Sequence, residues 1–285
     1  MKFLGKYIDD IWLWFIVFVA VVGFLVFYLL PFALGIYYSF FDLLENQFIG
    51  LVHYHNLFTS ELFRLALLNT ARFTFLSLAL VFFVSFSVAY VLCFTVIGRK
   101  IPRSLLVFPL VVPTVSISFV WYWWFHHRGF LSAFLYWSFS WQTNFFSGTF
   151  LYLPLLILFL WRYAGFSILI YLAGMLRLPQ EQIDAFNVES NNRLLFIWHI
   201  LLPHERSCTT YILLLNLIFS MNIFREIYVV WSNYPPRALY MMQHFVYNNF
   251  LRLQYERAVA GSTILAVFIL IIMALILIYE RQQIS

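Results

Sequence analysis

The residues from Phe73 to Gly98, FTFLSLALVFFVSFSVAYVLCFTVIG, form a run without a single charged side chain. The hydrocarbon core of a bilayer is about 30 Å thick, and roughly 20 apolar residues of α-helix cross it. The whole chain has the same character, because 64% of its residues are hydrophobic, 10% are charged and the mean hydropathy is +0.87. A soluble domain of this size has too little interior to bury so much apolar surface. The sequence therefore predicts a membrane protein.

Further apolar runs lie on both sides of this one, and they predict the remaining membrane helices. The predicted fold class is all-α, with one polytopic transmembrane domain over residues 1–285 and six transmembrane helices. The predicted spans cover residues 11–41, 73–98, 104–127, 151–176, 207–224 and 258–279. Proline can kink a helix, and it occurs at Pro31 in the first span and at Pro109 and Pro113 in the third. An even number of spans puts both termini on the same side.

Lysine and arginine indicate the orientation, because short cytoplasmic loops carry an excess of them. The side that holds both termini and residues 178–203 has more of these cations than the opposite side. Both termini are therefore predicted to be cytoplasmic. The net charge of +5 follows from this bias and from contact with anionic lipid, so no nucleic-acid partner is expected.

Sequence motifs for metal or nucleotide chemistry do not occur in this chain. Cys93 and Cys208 have neither C-x-x-C nor metal-ligand spacing, so both are predicted to pack as small apolar residues. No histidine cluster matches the zinc motif H-E-x-x-H, and no G-x-x-x-x-G-K-[ST] phosphate loop is present. We expect the chain to bind no cofactor of its own and to catalyse no reaction.

The most polar internal stretch lies between the fourth and fifth spans, from Leu178 to Pro203, and reads LPQEQIDAFNVESNNRLLFIWHILLP. Pro179 suits the first turn of a helix, and Glu181 places negative charge near the positive end of the helix dipole. A second short helix is predicted after the Ser190 to Asn192 break. Apolar side chains on such helices can lie in a groove of a partner protein.

The same stretch resembles the cytoplasmic loop of ABC-importer permeases, whose pattern is E-A-A, three residues, G, nine residues, I, any residue, L-P. The matching positions are Asp184, Ala185, Phe186, Ser190, Ile200, Leu202 and Pro203. This chain departs from the pattern at Asp184, Phe186 and Ser190. Because serine lacks the freedom of glycine to take positive φ, Asn191 or Asn192 is expected to adopt the left-handed conformation instead.

The resemblance implies that this stretch is the coupling helix, with Arg193 inside it, and that it docks on an ATPase subunit. It also implies a second homologous permease subunit, two ATPase subunits that hold ATP and Mg²⁺, and an extracytoplasmic solute-binding protein. Such an assembly would sit in the prokaryotic cytoplasmic membrane, in contact with lipid. Transport would proceed by alternating access.

Other segments resemble the carbohydrate branch of these permeases. Asn69-Thr70 resembles the N-T that opens a span there, and Gly165-Phe166 followed by Leu172-Ala173-Gly174 resembles the run ahead of the coupling loop. The implied substrate is a sugar or an oligosaccharide. A non-sugar solute such as glycerol phosphate, an organic anion or a peptide is the alternative, and an ATP-independent channel or an intramembrane enzyme is a more distant one.

Polar groups inside or at the ends of the spans are the candidates for a substrate pathway, because ionisable side chains are costly in a membrane. The candidates are Arg162, Asn216, Ser220, Asn222, Arg225 and Glu226. Arg162 is expected either to pair with Glu226 or to face the translocation cavity. Asn216 and Ser220 share one helix face, and they either line the cavity or form hydrogen bonds between helices. On the outer side, the aromatic stretch Gly129 to Trp141 predicts an interfacial helix.

Overall fold

The computed structural model describes residues 2–42, 45, 47–95, 102–140, 144–146, 148–190 and 192–282. These residues are mainly helical, with one short antiparallel pair of strands, β1 (Phe41–Asp42) and β2 (Gln47–Phe48). Phe41 pairs with Phe48 and Asp42 with Gln47. The all-α prediction therefore holds apart from this two-residue ladder.

The first half of the chain begins with one long helical rod. It consists of α1 (Lys2–Phe24), a π-helical turn (Leu25–Leu29) and α2 (Leu30–Tyr38). Pro31 falls in the first turn of α2, and the widened turn before it accommodates the missing proline N–H. After the strands come α3 (Val52–Thr59), α4 (Glu61–Phe94), α5 (Ser104–Val111), α6 (Thr114–Phe125) and α7 (Phe130–Phe139).

The second half starts with a 3₁₀ turn (Gly148–Leu151) that leads into α8 (Tyr152–Met175). The next elements are α9 (Gln180–Glu189), α10 (Arg193–Phe196), a π-helical turn (Ile197–Leu201) and α11 (Leu202–His204). The chain continues through α12 (Arg206–Asn222), α13 (Phe224–Trp231), a 3₁₀ turn (Arg237–Leu239), α14 (Met242–Leu251) and α15 (Tyr255–Gln282).

Among the described residues, five helical stretches are long and apolar enough to cross a membrane. They are Trp12–Tyr38, Glu61–Phe94, Tyr152–Met175, Arg206–Trp231 and Tyr255–Gln282. A sixth is broken, because Ser104–Val111 and Thr114–Phe139 meet at an angle of 98°. The predicted third span, 104–127, therefore corresponds to two helices joined at a bend rather than to one straight helix, and its crossing of the membrane stays a prediction.

The helix ends also differ from those of the charge-free runs. α4 begins at Glu61 rather than Phe73, and it includes Arg64 and Arg72, which the sequence placed in a loop. A charged side chain ends an apolar run but not a helix, because the backbone hydrogen bonds continue past the membrane surface. The predicted end of this span, residues 96–98, lies outside the described residues.

The predicted interfacial helix in the stretch Gly129 to Trp141 is confirmed as a helix, α7. Its left-handed C-terminal residue is Ser140, with φ of 53°. Residues 141–143, and with them Trp141, lie outside the described residues. The membrane depth of α7 stays a prediction.

Two apolar clusters hold the helices together. The first joins α4 to α8 and to α12, with Phe73, Phe159 and Tyr171 nearly or fully buried. The second joins α4 to α12, α14 and α15 around Phe63 and Met242. None of the side chains described in Trp12–Tyr38 is buried, and this stretch contacts α15, where Gly35 lies against Val259.

Candidate functional site

The 178–203 segment, Leu178 to Pro203, connects the ends of the packed helices α8 and α12. Its first helix, α9, starts after Pro179, whose φ of −61° suits a helix start. Glu181 lies in the first turn, and Gln180 Nε2 donates a hydrogen bond of 3.0 Å to Asp184 Oδ1. The negative side chains thus lie near the N-terminal end of α9, where the helix dipole favours them.

The break between α9 and α10 differs from the expected left-handed turn. Ser190 is extended with φ of −154°, and Asn192 has φ of −87°. Asn192 Oδ1 accepts the backbone N–H of Leu194 at 3.0 Å, which caps the N-terminus of α10. The left-handed expectation is wrong for Asn192, and Asn191 lies outside the described residues. Because no positive φ is needed at Ser190, serine can stand where the family pattern has glycine.

Phe186, the bulky substitute in the pattern, contacts the second half of the segment. Its ring lies 5.5 Å from that of Phe196, and the Phe196 ring lies 5.9 Å from that of Phe94 at the end of α4. The larger side chain therefore joins α9 to α10 and fixes both helices against the membrane domain. Such aromatic contacts add about 0.5–1.5 kcal/mol beyond area burial.

Of the other residues that match the ABC-importer loop pattern, some are packed against the membrane domain and some are exposed. Ile200 and Leu202 pack against the first apolar cluster, and Pro203 is half-buried. Ala185 and Arg193 are exposed. Large apolar side chains on the same segment are also exposed, with Val188 at 88%, Leu194 at 68% and Trp198 at 67%. The segment thus presents an apolar surface while its far end is anchored.

Among the pathway candidates, Arg162 and Glu226 come together as a buried ion pair. Arg162 Nη1 lies 2.8 Å from Glu226 Oε1, and the side chains are 11% and 2% exposed. Arg162 Nη2 also donates to Thr114 Oγ1 at 2.9 Å. The pairing, one of the two expected alternatives, is confirmed. It connects α8 to α13 and to the first residue of α6, directly after the break in the third span.

Asn216 and Ser220 are buried between helices. Asn216 Nδ2 donates to Ser167 Oγ on α8 at 2.9 Å, and Ser220 Oγ lies 3.3 Å from Thr74 Oγ1 on α4. In this single chain the two side chains link α12 to two neighbours, and a lining role for them stays a prediction. Asn222 bonds back to the Ile218 carbonyl at 3.4 Å. Arg225 is exposed beside the ion pair's Glu226.

Sequence reasoning noticed Asn69-Thr70 only as a pattern match, whereas the structure gives both residues a function in packing. Asn69 Nδ2 donates to the carbonyls of Arg237 at 2.8 Å and Tyr240 at 3.1 Å. Thr70 Oγ1 accepts the backbone N–H of Met242 at 2.9 Å. The pair therefore fixes the loop before α14 and satisfies one of that helix's free N–H groups.

Sequence reasoning also missed a second buried carboxylate. Glu205, directly after α11, is 0% exposed and lies against Gly174 near the end of α8. Burial raises the pKa of this carboxyl group, an effect that the nearby Cys208, His204 and Arg177 oppose. An acidic residue at the boundary between a polar segment and an apolar run was the signal that could have found it.

The described residues contain no group of three His, Cys, Asp or Glu side chains that could hold a metal ion. His244 on α14 is buried, and its Nδ1 accepts the Met241 N–H at 3.2 Å. Burial lowers the pKa of His244 to about 4, so it is neutral at physiological pH. Its contact with Met241 stabilises the first turn of α14.

The sequence and the fold both match known transport proteins. The sequence profile of the family described as "Binding-protein-dependent transport system inner membrane component" matches residues 94–284. The arabinooligosaccharides transport system permease protein AraP of Bacillus subtilis (strain 168) is 30% identical over 268 residues, which cover 90% of this chain and 84% of AraP. The sn-glycerol-3-phosphate transport system permease protein UgpA of Rhizobium meliloti (strain 1021) is 22% identical, with 80% and 78% covered.

Solved structures show the same fold at lower sequence identity. A chain of a bacterial ABC transporter involved in the import of the acidic polysaccharide alginate superposes with a TM-score of 0.82 at 21% identity, covering 99% of both chains. A chain of the bacterial alginate transporter in complex with a pentasaccharide-bound periplasmic protein gives a TM-score of 0.79 at 23% identity, covering 95% and 94%. The chain belongs to the family of binding-protein-dependent transport system inner membrane components, the permease subunits of ABC importers.

Proposed function

We propose that this chain is one transmembrane subunit of an ATP-driven importer that takes up a sugar or an oligosaccharide. The observation that carries the proposal is the 178–203 segment, which presents exposed Val188, Leu194 and Trp198 while its end packs between α8 and α12. An exposed apolar helix anchored to two spans is suited to receive a partner and to pass its movement into the membrane domain.

The proposed partner at this segment is an ATPase subunit, with Asp184 to Pro203 as the docking region. ATP and Mg²⁺ bind on two such subunits, because this chain has no phosphate loop. A second, homologous permease completes the membrane pathway. An extracytoplasmic solute-binding protein delivers the substrate on the opposite side; in support, the similar alginate transporter forms a complex with a pentasaccharide-bound periplasmic protein.

The proposed orientation puts the 178–203 segment and both chain termini in the cytoplasm of a prokaryotic cell, with the permease in the inner membrane. Support comes from the excess of lysine and arginine on that side. One polytopic domain over residues 1–285 is proposed to contain all the spans. The loop before α14, fixed by Asn69 and Thr70, then lies on the outer side, where a binding protein would approach.

Transport is proposed to follow alternating access. ATP binding would close the two ATPase subunits, draw the docking regions together and open the permease pair outward, and hydrolysis would reset the assembly. ATP and the loaded binding protein would each shift a two-state equilibrium by binding one state better. In this scheme, Arg162, Asn216, Ser220, Asn222, Arg225 and Glu226 are proposed to lie along the pathway or to hold its helices in register.

The substrate class is proposed from the relatives, among which AraP is an arabinooligosaccharide permease and AmyD of Thermoanaerobacterium thermosulfurigenes is a probable permease for starch degradation products. Glycerol phosphate is the second candidate, because UgpA is also similar to this chain. Proteoliposomes that contain the permease pair, its ATPase and its binding protein would separate the two. We expect ATP-dependent uptake of a labelled oligosaccharide and none of labelled sn-glycerol 3-phosphate, whereas the reverse result would reject the sugar assignment.

A further inference from the structure

The carboxylate of Glu205 is buried where the 178–203 segment ends and α12 begins. The residue is 0% exposed, and neither of its carboxylate oxygens has a nitrogen or oxygen hydrogen-bond partner among the described residues. Its polar neighbours are the Cys208 side chain and, 3.9 Å from Oε1, His204 Nε2, and a carboxyl group buried with such weak partners costs free energy. The burial of the Glu205 carboxyl group therefore needs a specific structural reason.

Glu205 lies directly on the backbone of Gly174. A Cβ atom built on Gly174 would be 2.5 Å from Oε1 of Glu205 and 2.7 Å from its Cδ, both far inside van der Waals contact. The neighbouring His204 Nε2 lies 3.2 Å from the Gly174 carbonyl oxygen. Only glycine leaves room for this contact, so His204 and Glu205 together hold the last turn of α8.

The same residue is bonded to α12. The backbone N–H and the hydroxyl of Thr209 both donate to the Glu205 carbonyl oxygen, at 2.8 and 2.9 Å. Tyr171 on α8 in turn donates its hydroxyl to Thr209 Oγ1 at 2.9 Å. Glu205 therefore contacts α8 through its side chain and α12 through its backbone, at the point where the 178–203 segment joins both.

We propose that Glu205 is a positioning residue whose contact with Gly174 makes α8 and α12 move as one unit with the 178–203 segment. This inference rests on the proposed function, since it supposes that an ATPase moves the segment. The segment is joined through the chain to α8 at one end and to α12 at the other, so without the contact the two helices would respond to its displacement separately. The ATPase would then turn over without moving the pathway helices together.

The contact can be tested in the complete, reconstituted importer by enlarging the residue at Gly174 and shortening the side chain at Glu205. Solute uptake and ATP hydrolysis are measured separately, and their ratio is the readout. Gly174→Ala pushes the two residues apart, and Glu205→Ala leaves a void, so each is expected to lower the ratio at least about five-fold, the lower end of typical coupling effects. In the double variant the new methyl group fills the space, and most of the ratio is expected to return.

Two further variants serve as controls. Glu205→Gln keeps the shape of the side chain and is expected to leave the ratio within about two-fold of wild type, below the roughly five-fold lower end of typical coupling effects. Gly23→Ala adds a methyl group at a helical glycine where, apart from the backbone of its own helix, no atom of the described residues lies within 4 Å of the new Cβ, and it is expected to leave the ratio unchanged.

The inference is overturned if the double variant is as impaired as the single ones, or if uptake and hydrolysis fall in proportion. If Gly174→Ala fails to assemble, Glu205→Ala is compared with Glu205→Gln instead. Equal ratios of uptake to ATP hydrolysis for these two variants reject the inference. Absence of ATP-dependent uptake by the wild-type assembly would instead reject the proposed function itself.

Discussion

At the scale of single residues, the buried Arg162–Glu226 ion pair is expected to be the most sensitive to mutation. Removing one partner leaves a buried charge alone and typically costs about 3–5 kcal/mol, whereas replacing both partners by uncharged residues of similar size is often close to neutral. We expect Arg162→Met to lower the melting temperature of the purified permease complex much more than the double change Arg162→Met with Glu226→Gln. Equal losses would show that the pair contributes no such coupling.

Glu205 gives a pH-dependent prediction with a definite sign. Because burial raises its pKa, the folded state favours the neutral carboxyl group, and the stabilisation that the raised pKa provides is lost as the pH rises through that value. The groups facing it are Tyr171, Arg177, His204 and Cys208, and all four residues are kept in Glu205→Gln.

The measurement for Glu205 is the melting temperature of wild type and Glu205→Gln over a pH series. The glutamine variant stays neutral, so its advantage over wild type is expected to grow as the pH rises. A difference that does not change with pH, or that grows toward low pH, would contradict a raised pKa.

The sequence predicted some of these residue contacts and missed others for a physical reason. Arg162 and Glu226 could be paired in advance, because two opposite charges in apolar spans have few other ways to lower their cost. The hydrogen bonds of Asn216 with Ser167 and of Ser220 with Thr74 could not be predicted, because a hydroxyl group in a membrane helix can bond to its own backbone instead. The contact of Glu205 with Gly174 depends on how α8 and α12 approach each other, which periodicity does not specify.

At the scale of elements, the broken third span is the main departure from the sequence prediction. Val112, between α5 and α6, has ψ of 129°, and the residue before a proline is disfavoured in helical conformation. Pro113 therefore ends α5, and the chain turns by 98°. Apolar composition measures only whether a segment tolerates lipid, so it does not distinguish a bent pair from one crossing. The helices α4, α8 and α15 each overlap a predicted apolar run, because nothing interrupts their helical hydrogen bonding.

The close packing of α5 on α8 gives a prediction at this scale. A Cβ on Gly165 would be 2.6 Å from the carbonyl carbon of Leu106, so α5 must move to accept it. We expect Gly165→Ala to destabilise the purified complex by about 1–3 kcal/mol through overpacking. Gly23→Ala is the control, because it has the same effect on helix propensity in open surroundings. The same melting temperature for both variants would contradict the packing assigned to Gly165.

At the scale of the whole molecule, the two apolar clusters meet on α4 and α12, while the 178–203 segment joins α8 to α12. A force on the segment therefore reaches the first cluster through α8 and both clusters through α12. The N-terminal stretch Trp12–Tyr38 contributes no buried side chain to either cluster and contacts the packed helices at Gly35, which lies against Val259 of α15. The architecture thus separates a packed unit linked to the segment from a peripheral helix.

The central claim is that the exposed apolar surface of the 178–203 segment docks on an ATPase subunit. Val188 is 88% exposed there, whereas Leu253, with φ of 60°, is 70% exposed in the turn after α14. Asp costs little folding stability at either site, because both side chains face outward and Asp tolerates positive φ better than Leu. The measurement is the amount of ATPase subunit that co-purifies with each variant.

We expect Val188→Asp to lose most of the bound ATPase, because a carboxylate would be buried in the interface without a partner. Leu253→Asp is expected to retain the wild-type amount. If Val188→Asp binds the ATPase as well as Leu253→Asp does, the segment is not the docking surface and the account is contradicted.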